Sequence, residues 1–209
     1  MDSSERNSIL DAVSCLLRGG IVAFPTDTLY GLGADVFNER AVERVFVAKG
    51  RPGEMALPIL LADTRDMSLV ARDIPDIAWA LAERFFPGAL SLVLRKASRV
   101  PDLLSGGAET VALRVPDHPV PRRLARALGH PITGTSANRS GSAPARTAEE
   151  VVEQLGDNVD MVIDGGPIHA GIPSTVLDVS NGIPYIVRQG GVSQAEIEAV
   201  CGKSVEVRR

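Results

Sequence analysis

The sequence predicts an α/β (α+β) fold in which helices pack on a mixed parallel and antiparallel sheet. Segments with helical apolar spacing alternate with short apolar, strand-like runs along the 209 residues. Closely spaced strands and a hairpin signal near the C-terminal end then require antiparallel pairs within the sheet.

Each element has a local cause. Ile9, Leu10, Val13, Leu16 and Leu17 have helical spacing, and Gly19-Gly20 stops the helix. Residues 21–24 read as a short buried strand ended by Pro25. Asn38 can cap a helix with Val42, Val45 and Phe46 on its inner face, running to about Lys49. The continuous apolar run 57–61 is the next strand, and 77–86 an amphipathic helix stopped by Pro87-Gly88. Strands follow at 90–94 and 110–115. Residues 120–128 form a helix carrying Arg122, Arg123 and Arg126, and Ile132 begins a strand leading into GTSANRSG. Thr147 with Glu150 fits a capping box for a helix through Leu155, and Ser193 with Glu196 fits one for the last helix. Between them, 175–179 and 183–187 flank Ser180-Asn181-Gly182, where Asn-Gly can supply the positive φ angles of a tight turn. No repeat, low-complexity tract or long linker interrupts the series, so a single domain over 1–209 is expected.

Composition narrows the class. Hydrophobic residues make up 44% of the chain but aromatics only 4%, so aliphatic side chains must fill the core. A net charge of -4 argues against a generic nucleic-acid coat. Between Arg44 and Arg146, however, Lys and Arg outnumber Asp and Glu. A basic middle suits a site for an anion such as a nucleotide, or is a solvated surface. Cys15 and Cys201 have no metal-type spacing and fall on apolar helical patterns, as buried thiols would. No stretch reads as a signal peptide or a membrane span, so the expectation is a cytoplasmic protein with no membrane contact.

Several common site motifs are absent. GLGADV lacks the third glycine of a dinucleotide fingerprint, and KGRPG has no GK[ST] after its turn. His118, His130 and His169 have no neighbouring ligand set, so no metal site is expected. GTSANRSG lacks the GxSxG elbow of a triad hydrolase.

What remains is a set of polar clusters where predicted strands and helices end: PTDTLYGLG (25–33), AKGRP (48–52), Thr110 and Arg114 on one strand face, GTSAN (134–138), Ser174 and Arg188. Each also has a plainer reading. Thr26 and Thr28 can be turn formers around Asp27, and Tyr30 a packing aromatic. Lys49 can serve the helix dipole, Arg51 the surface, and Ser136 with Asn138 a hydrogen-bonded turn. Arg114 resists such a reading, because an arginine inside Val-Ala-Leu-Arg-Val needs an anionic partner.

The combination resembles the threonylcarbamoyl-AMP synthase family, with its YrdC-like fold. The resemblance is carried by FPTDTLYGLG (24–33), AKGRP (48–52), ALRVPDHP (112–119), TSANRSG (135–141), PSTVLD (173–178) and VRQGG (187–191). These motifs stand in the family's order over about residues 19–191, in what looks like the short bacterial form without an extra C-terminal domain. The resemblance implies a twisted mixed sheet around a deep, positively lined cavity. It implies that L-threonine, bicarbonate and ATP are converted to threonylcarbamoyl-AMP and diphosphate, Mg2+ arriving on the ATP. A separate complex would then transfer the threonylcarbamoyl group to tRNA, with weak RNA contact possible.

By resemblance, Lys49 and Arg51 are the catalytic cations on the phosphates. Thr110, Ser136, Asn138, the backbone near Pro144, and Arg188 complete the ATP site. Thr28, Tyr30, Arg114, the backbone at Gly134, and Ser174 would hold threonine, with Arg114 the natural partner of its carboxylate. One stretch departs from the pattern: GEMALPILL puts Met55 and Leu60 where relatives often have an Asn-Pro-Leu-like segment and a nearby histidine. Two other functions compete with this reading: a carbamoyl-adenylate-forming carbamoyltransferase-type domain, and a non-catalytic double-stranded RNA-binding module.

Overall fold

The computed structural model describes residues 3–53, 55–169 and 172–208, the side chains of residues 3–6 excepted. In chain order, α1 (Ser3–Leu17) leads into a hairpin of β1 (Val22–Pro25) and β2 (Tyr30–Gly33), followed by α2 (Glu39–Lys49) and β3 (Ile59–Leu60). Then come α3 (Met67–Val70), α4 (Asp76–Phe85), β4 (Leu90–Arg95), α5 (Asp102–Ser105), β5 (Thr110–Arg114) and α6 (Pro119–Leu128). The chain continues through β6 (Ile132–Thr133), β7 (Thr135–Ser136), α7 (Ala148–Leu155) and β8 (Met161–Val162). It closes with β9 (Thr175–Asp178), β10 (Tyr185–Arg188), α8 (Gln194–Cys201) and β11 (Glu206–Val207). No helix among the described residues is long and apolar enough to cross a membrane.

The mixed pairing is divided between two sheets. One has the order β7-β2-β1-β8 and the other β11-β10-β9-β4-β5-β3-β6. β4 pairs antiparallel with β5 and parallel with β9, while β5 pairs parallel with β3. Gly134 is the residue between β6 and β7, where the chain leaves one sheet for the other. A Cβ there would lie 2.2 Å from Leu60 Cγ, so only glycine lets β3 approach the crossing. One apolar core joins residues of both sheets, and a second, smaller one packs α1 and α6 over Val22, Phe24 and Ile132.

The PTDTLYGLG segment is not a loop after a single strand. It forms the β1–β2 hairpin, with Pro25 opposite Tyr30 and Phe24 opposite Gly31. Its glycines therefore serve packing rather than a turn. A Cβ on Gly31 or Gly33 would sit 2.8 or 2.5 Å from the Phe24 ring, which lies across β2.

Several caps follow the sequence. Asn38 Oδ1 accepts from Ala41 N at 3.2 Å, and Ser193 and Glu196 complete a capping box. At α7 only half of the expected box forms. Thr147 Oγ1 accepts from Glu150 N, but the Glu150 carboxylate reaches back to Arg146 N at 2.7 Å. The β9–β10 hairpin also differs from the tight Asn-Gly turn expected. Gly182 N donates to Val179 O, putting Ser180 and Asn181 at the centre of the turn, and Gly182 is the residue with positive φ. Cys15 is buried and Cys201 half-buried, both as free thiols.

Candidate functional site

A cavity of about 420 Å³ is lined by residues of both sheets. The four-stranded sheet and its hairpin loop contribute Thr26, Thr28, Tyr30 and Ser136, and the larger sheet contributes Leu60, Ser91, Ala112, Arg114 and Val176. Arg51, Pro144, Ser174, Gly134 and Arg188 complete the predicted residues that reach it. Lys49, Thr110 and Asn138 are not in the lining. Thr110 begins β5 opposite Arg95, farther along the strand face that carries Ala112 and Arg114. Arg122, Arg123 and Arg126 do not reach the cavity either; Arg122 and Arg126 instead donate to Ala62 O.

On one wall the hairpin loop organises itself around Thr26. Its hydroxyl donates to Leu29 O at 2.6 Å and accepts from the backbone N–H groups of Thr28 and Leu29. That bends the loop and sets Thr28 Oγ1 3.4 Å from Arg114 Nη1. Arg114 is only 6% exposed. Its Nε donates to Gly88 O at 2.6 Å and its Nη2 to Asp27 Oδ2. Asp27 is thus the anionic partner that the buried arginine requires. Burial lowers the guanidinium pKa, and Asp27 opposes that shift. Tyr30 is fully buried, and its hydroxyl donates to Gly166 O at 2.9 Å.

The end of α2 and the turn after it carry two further cations, Lys49 and Arg51. Arg51 folds the turn after α2 by donating to Met55 O at 3.2 Å and Ala56 O at 2.9 Å, and burial lowers its pKa. In the divergent GEMALPILL stretch, then, Met55 acts through its carbonyl while Leu60 is an apolar wall of the cavity. Lys49, 3% exposed, is turned into the 136–138 loop. Its ammonium donates to Ser136 O, to Asn138 O at 2.7 Å and to Asn138 Oδ1 at 3.2 Å, which commits all three of its protons. Burial, and secondarily Arg51, pushes its pKa down to about 8. Asn138 in turn accepts from Ser136 Oγ at 2.5 Å and donates to Arg139 O and Ser142 O, so it holds the loop together.

At the third side, Arg188 Nη2 donates to Ser174 O at 2.9 Å. Thr175 Oγ1 accepts from Gly190 N and Val192 N, drawing the VRQGG segment onto PSTVLD. Ser91 was missed by sequence reasoning. It is buried, lines the cavity, and its hydroxyl lies 2.9 Å from that of Ser174. The available signal was a lone serine among the leucines of a buried strand. Asp27 was likewise not singled out. Among the described residues no group of three or more His, Cys, Asp or Glu could hold a metal ion. His118 caps α6, and His130 pairs with Asp35 at 3.0 Å.

A cavity walled by three arginines and built from six separated motifs can gather anions. Comparison with known proteins decides the family: a family model for Sua5, YciO and YrdC proteins, described as telomere recombination, matches residues 14–190. The chain belongs to the Sua5/YciO/YrdC family. Within that family, it is 42% identical over 192 residues to the threonylcarbamoyl-AMP synthase of Pyrococcus abyssi, covering 92% of this chain and 56% of that protein. It is 39% identical over 202 residues to a putative threonylcarbamoyl-AMP synthase of Mycobacterium tuberculosis, covering 96% and 93%. The crystal structure of P. abyssi Sua5 complexed with L-threonine superposes with a TM-score of 0.91 at 40% identity, over 96% of this chain and 58% of that one. This Sua5/YciO/YrdC chain thus spans little more than half the length of its P. abyssi relative.

Proposed function

We propose that the cavity holds L-threonine and ATP together and that the chain acts as an L-threonylcarbamoyladenylate synthase. The observation that carries this is the convergence on one cavity of Thr28, Arg114 and Ser174 with Arg51, Ser136 and Arg188. It is supported by the likeness to a relative whose structure was solved with L-threonine. The threonine amine forms a C–N bond with the carbon of bicarbonate, releasing water and giving a carbamate. A carbamate oxygen then attacks the α-phosphorus of ATP, the α–β phosphoanhydride breaks, and diphosphate leaves.

The protein's part is to position and neutralise anions rather than to form covalent bonds. Arg114 would receive the threonine carboxylate, with Thr28, Ser174, the backbone at Gly134 and the wall at Tyr30 around the amino acid. Arg51 and Arg188 would take phosphate oxygens, and Ser136 and Pro144 the nucleotide. Lys49 would join by exchanging a loop carbonyl for a phosphate oxygen, and Asn138 by shaping that loop. Thr110 requires the nucleotide to extend along the β5 face beyond Ala112. Mg2+ would be held by the phosphates and water, since hard cations accept such oxygen ligands. The product would pass to a complex that modifies tRNA in the cytoplasm, and the basic α6 arginines would supply any weak RNA contact.

The test is diphosphate release from ATP, Mg2+ and bicarbonate with and without L-threonine. Release that depends on threonine supports the assignment. Equal release in both mixtures, or none, overturns it.

A further inference from the structure

We propose that Asp27 is a positioning residue: it grips one edge of the Arg114 guanidinium and so aims the opposite end at the carboxylate of the bound amino acid. This rests on the threonine reading above and concerns how that subsite is built.

Arg114 and Thr28 line the cavity, whereas Asp27 and Gly88 do not. Of the three protein acceptors of Arg114, Gly88 O and Asp27 Oδ2 lie outside the cavity lining and only Thr28 Oγ1 belongs to it. Nε donates to Gly88 O at 2.6 Å and Nη2 to Asp27 Oδ2. Nε–H and the neighbouring Nη2–H share one edge of the planar group, so the protein itself fills that fork. What remains is the Nη1–Nη2 end, with Nη1 3.4 Å from Thr28 Oγ1. The Thr26 hydroxyl proton is committed to Leu29 O at 2.6 Å. In the 3.1 Å contact between the two threonine hydroxyls, Thr28 is therefore the donor, and its lone pairs are free to face Nη1. A carboxylate entering the cavity thus meets a fixed pair of N–H donors beside a fixed hydroxyl.

Asp27 carries a cost that hairpin stability alone would not select. Its Oδ1 is buried and has no hydrogen-bond partner, although its Oδ2 is bonded. An orphaned carboxylate oxygen is destabilising. The orientation that orphans it is the one that brings Oδ2 to Nη2. Bidentate recognition depends on angle, so a guanidinium released from this grip would rotate and lose one of its two substrate bonds.

The experiment is calorimetric titration of L-threonine and, separately, of ATP into the wild type, Asp27→Ala and Asp27→Asn. Threonine affinity should fall about 10-fold or more in Asp27→Ala, the order of magnitude for losing one hydrogen bond between charged groups. ATP affinity should stay within about 2-fold of the wild type, because the lost partner serves only Arg114. Asp27→Asn keeps an oxygen that can accept from Nη2, and should hold threonine within about 3-fold of wild type. Far-UV circular dichroism checks folding. If Asp27→Ala is unfolded, Asp27→Ser, too short to reach Nη2, takes its place. Wild-type threonine affinity in the alanine or serine variant overturns the proposal. So does a parallel loss of threonine and ATP binding, or an asparagine variant as weak as alanine. Absence of threonine binding by the wild type would instead overturn the functional reading, and the proposal with it.

Discussion

Lys49→Met isolates the energetic cost of a buried ammonium that no carboxylate among the described residues pairs. The group is 3% exposed, and its pKa falls from 10.5 to about 8, mainly through burial. Each unit corresponds to about 1.4 kcal/mol, so the charged form is disfavoured in the folded state by about 3 kcal/mol. The sign follows from proton counting. Below pH 8 both folded and unfolded chains keep the proton, and the folded state carries the full cost. Between pH 8 and 10.5 the unfolded chain holds a proton that the folded chain has released, so stability rises with pH. Methionine also leaves the Ser136 and Asn138 carbonyl oxygens without their donor, but that loss does not depend on pH. Urea denaturation of both proteins from pH 7 to 10.5 gives the difference directly. Wild type should gain on the variant by about 3 kcal/mol across the window, most of it above pH 8. A difference that stays flat would refute the uncompensated-charge argument.

Other perturbations test separate links. Gly134→Ala should cost about 1–3 kcal/mol by overpacking against Leu60, and the cost should shrink in a Leu60→Ala background when both are measured in a denaturant double-mutant cycle. Arg114→Lys should weaken threonine binding by about 10-fold or more while leaving ATP binding in place, because an ammonium cannot reproduce the forked geometry; titration calorimetry reads both. Asp160 accepts from Arg44 and from Ile21 N, and its pKa is lowered, first by the Arg44 hydrogen bond. A depressed carboxylate contributes stability above its unfolded pKa and loses it as pH falls through the folded value. The stability gap between wild type and Asp160→Asn should therefore close on acidification below about pH 4, as followed by denaturant melts.

Elements with strong local signals were legible: the α2 cap at Asn38, the amphipathic face of α4, and the Ser193–Glu196 capping box. Two-residue strands such as β7, β8 and β11 are too short to carry a period, and exist because a neighbouring strand offers free backbone groups. β2 was hidden because two of its four residues are glycines, which carry no strand signal and answer instead to the Phe24 ring across the hairpin. The same distinction runs through the site. The motifs that converge were visible as strand-end clusters, and the need of Arg114 for an anion followed from its apolar strand. That the partner is Asp27, 87 residues away and beside Thr28, is a tertiary fact with no local signature. Lys49 was expected to face phosphates, and its turn toward the 136–138 carbonyls follows from the closeness of that loop to the end of α2.

The most direct test of the central claim follows carbon from labelled bicarbonate. The protein is incubated with 13C-bicarbonate, L-threonine, ATP and Mg2+, and the nucleotide products are weighed by mass spectrometry. The expected result is an adenylate carrying both threonine and one labelled carbonyl carbon, formed only when threonine is present, with diphosphate appearing in equal amount. Diphosphate without labelled adenylate, or a labelled adenylate lacking threonine, would contradict it.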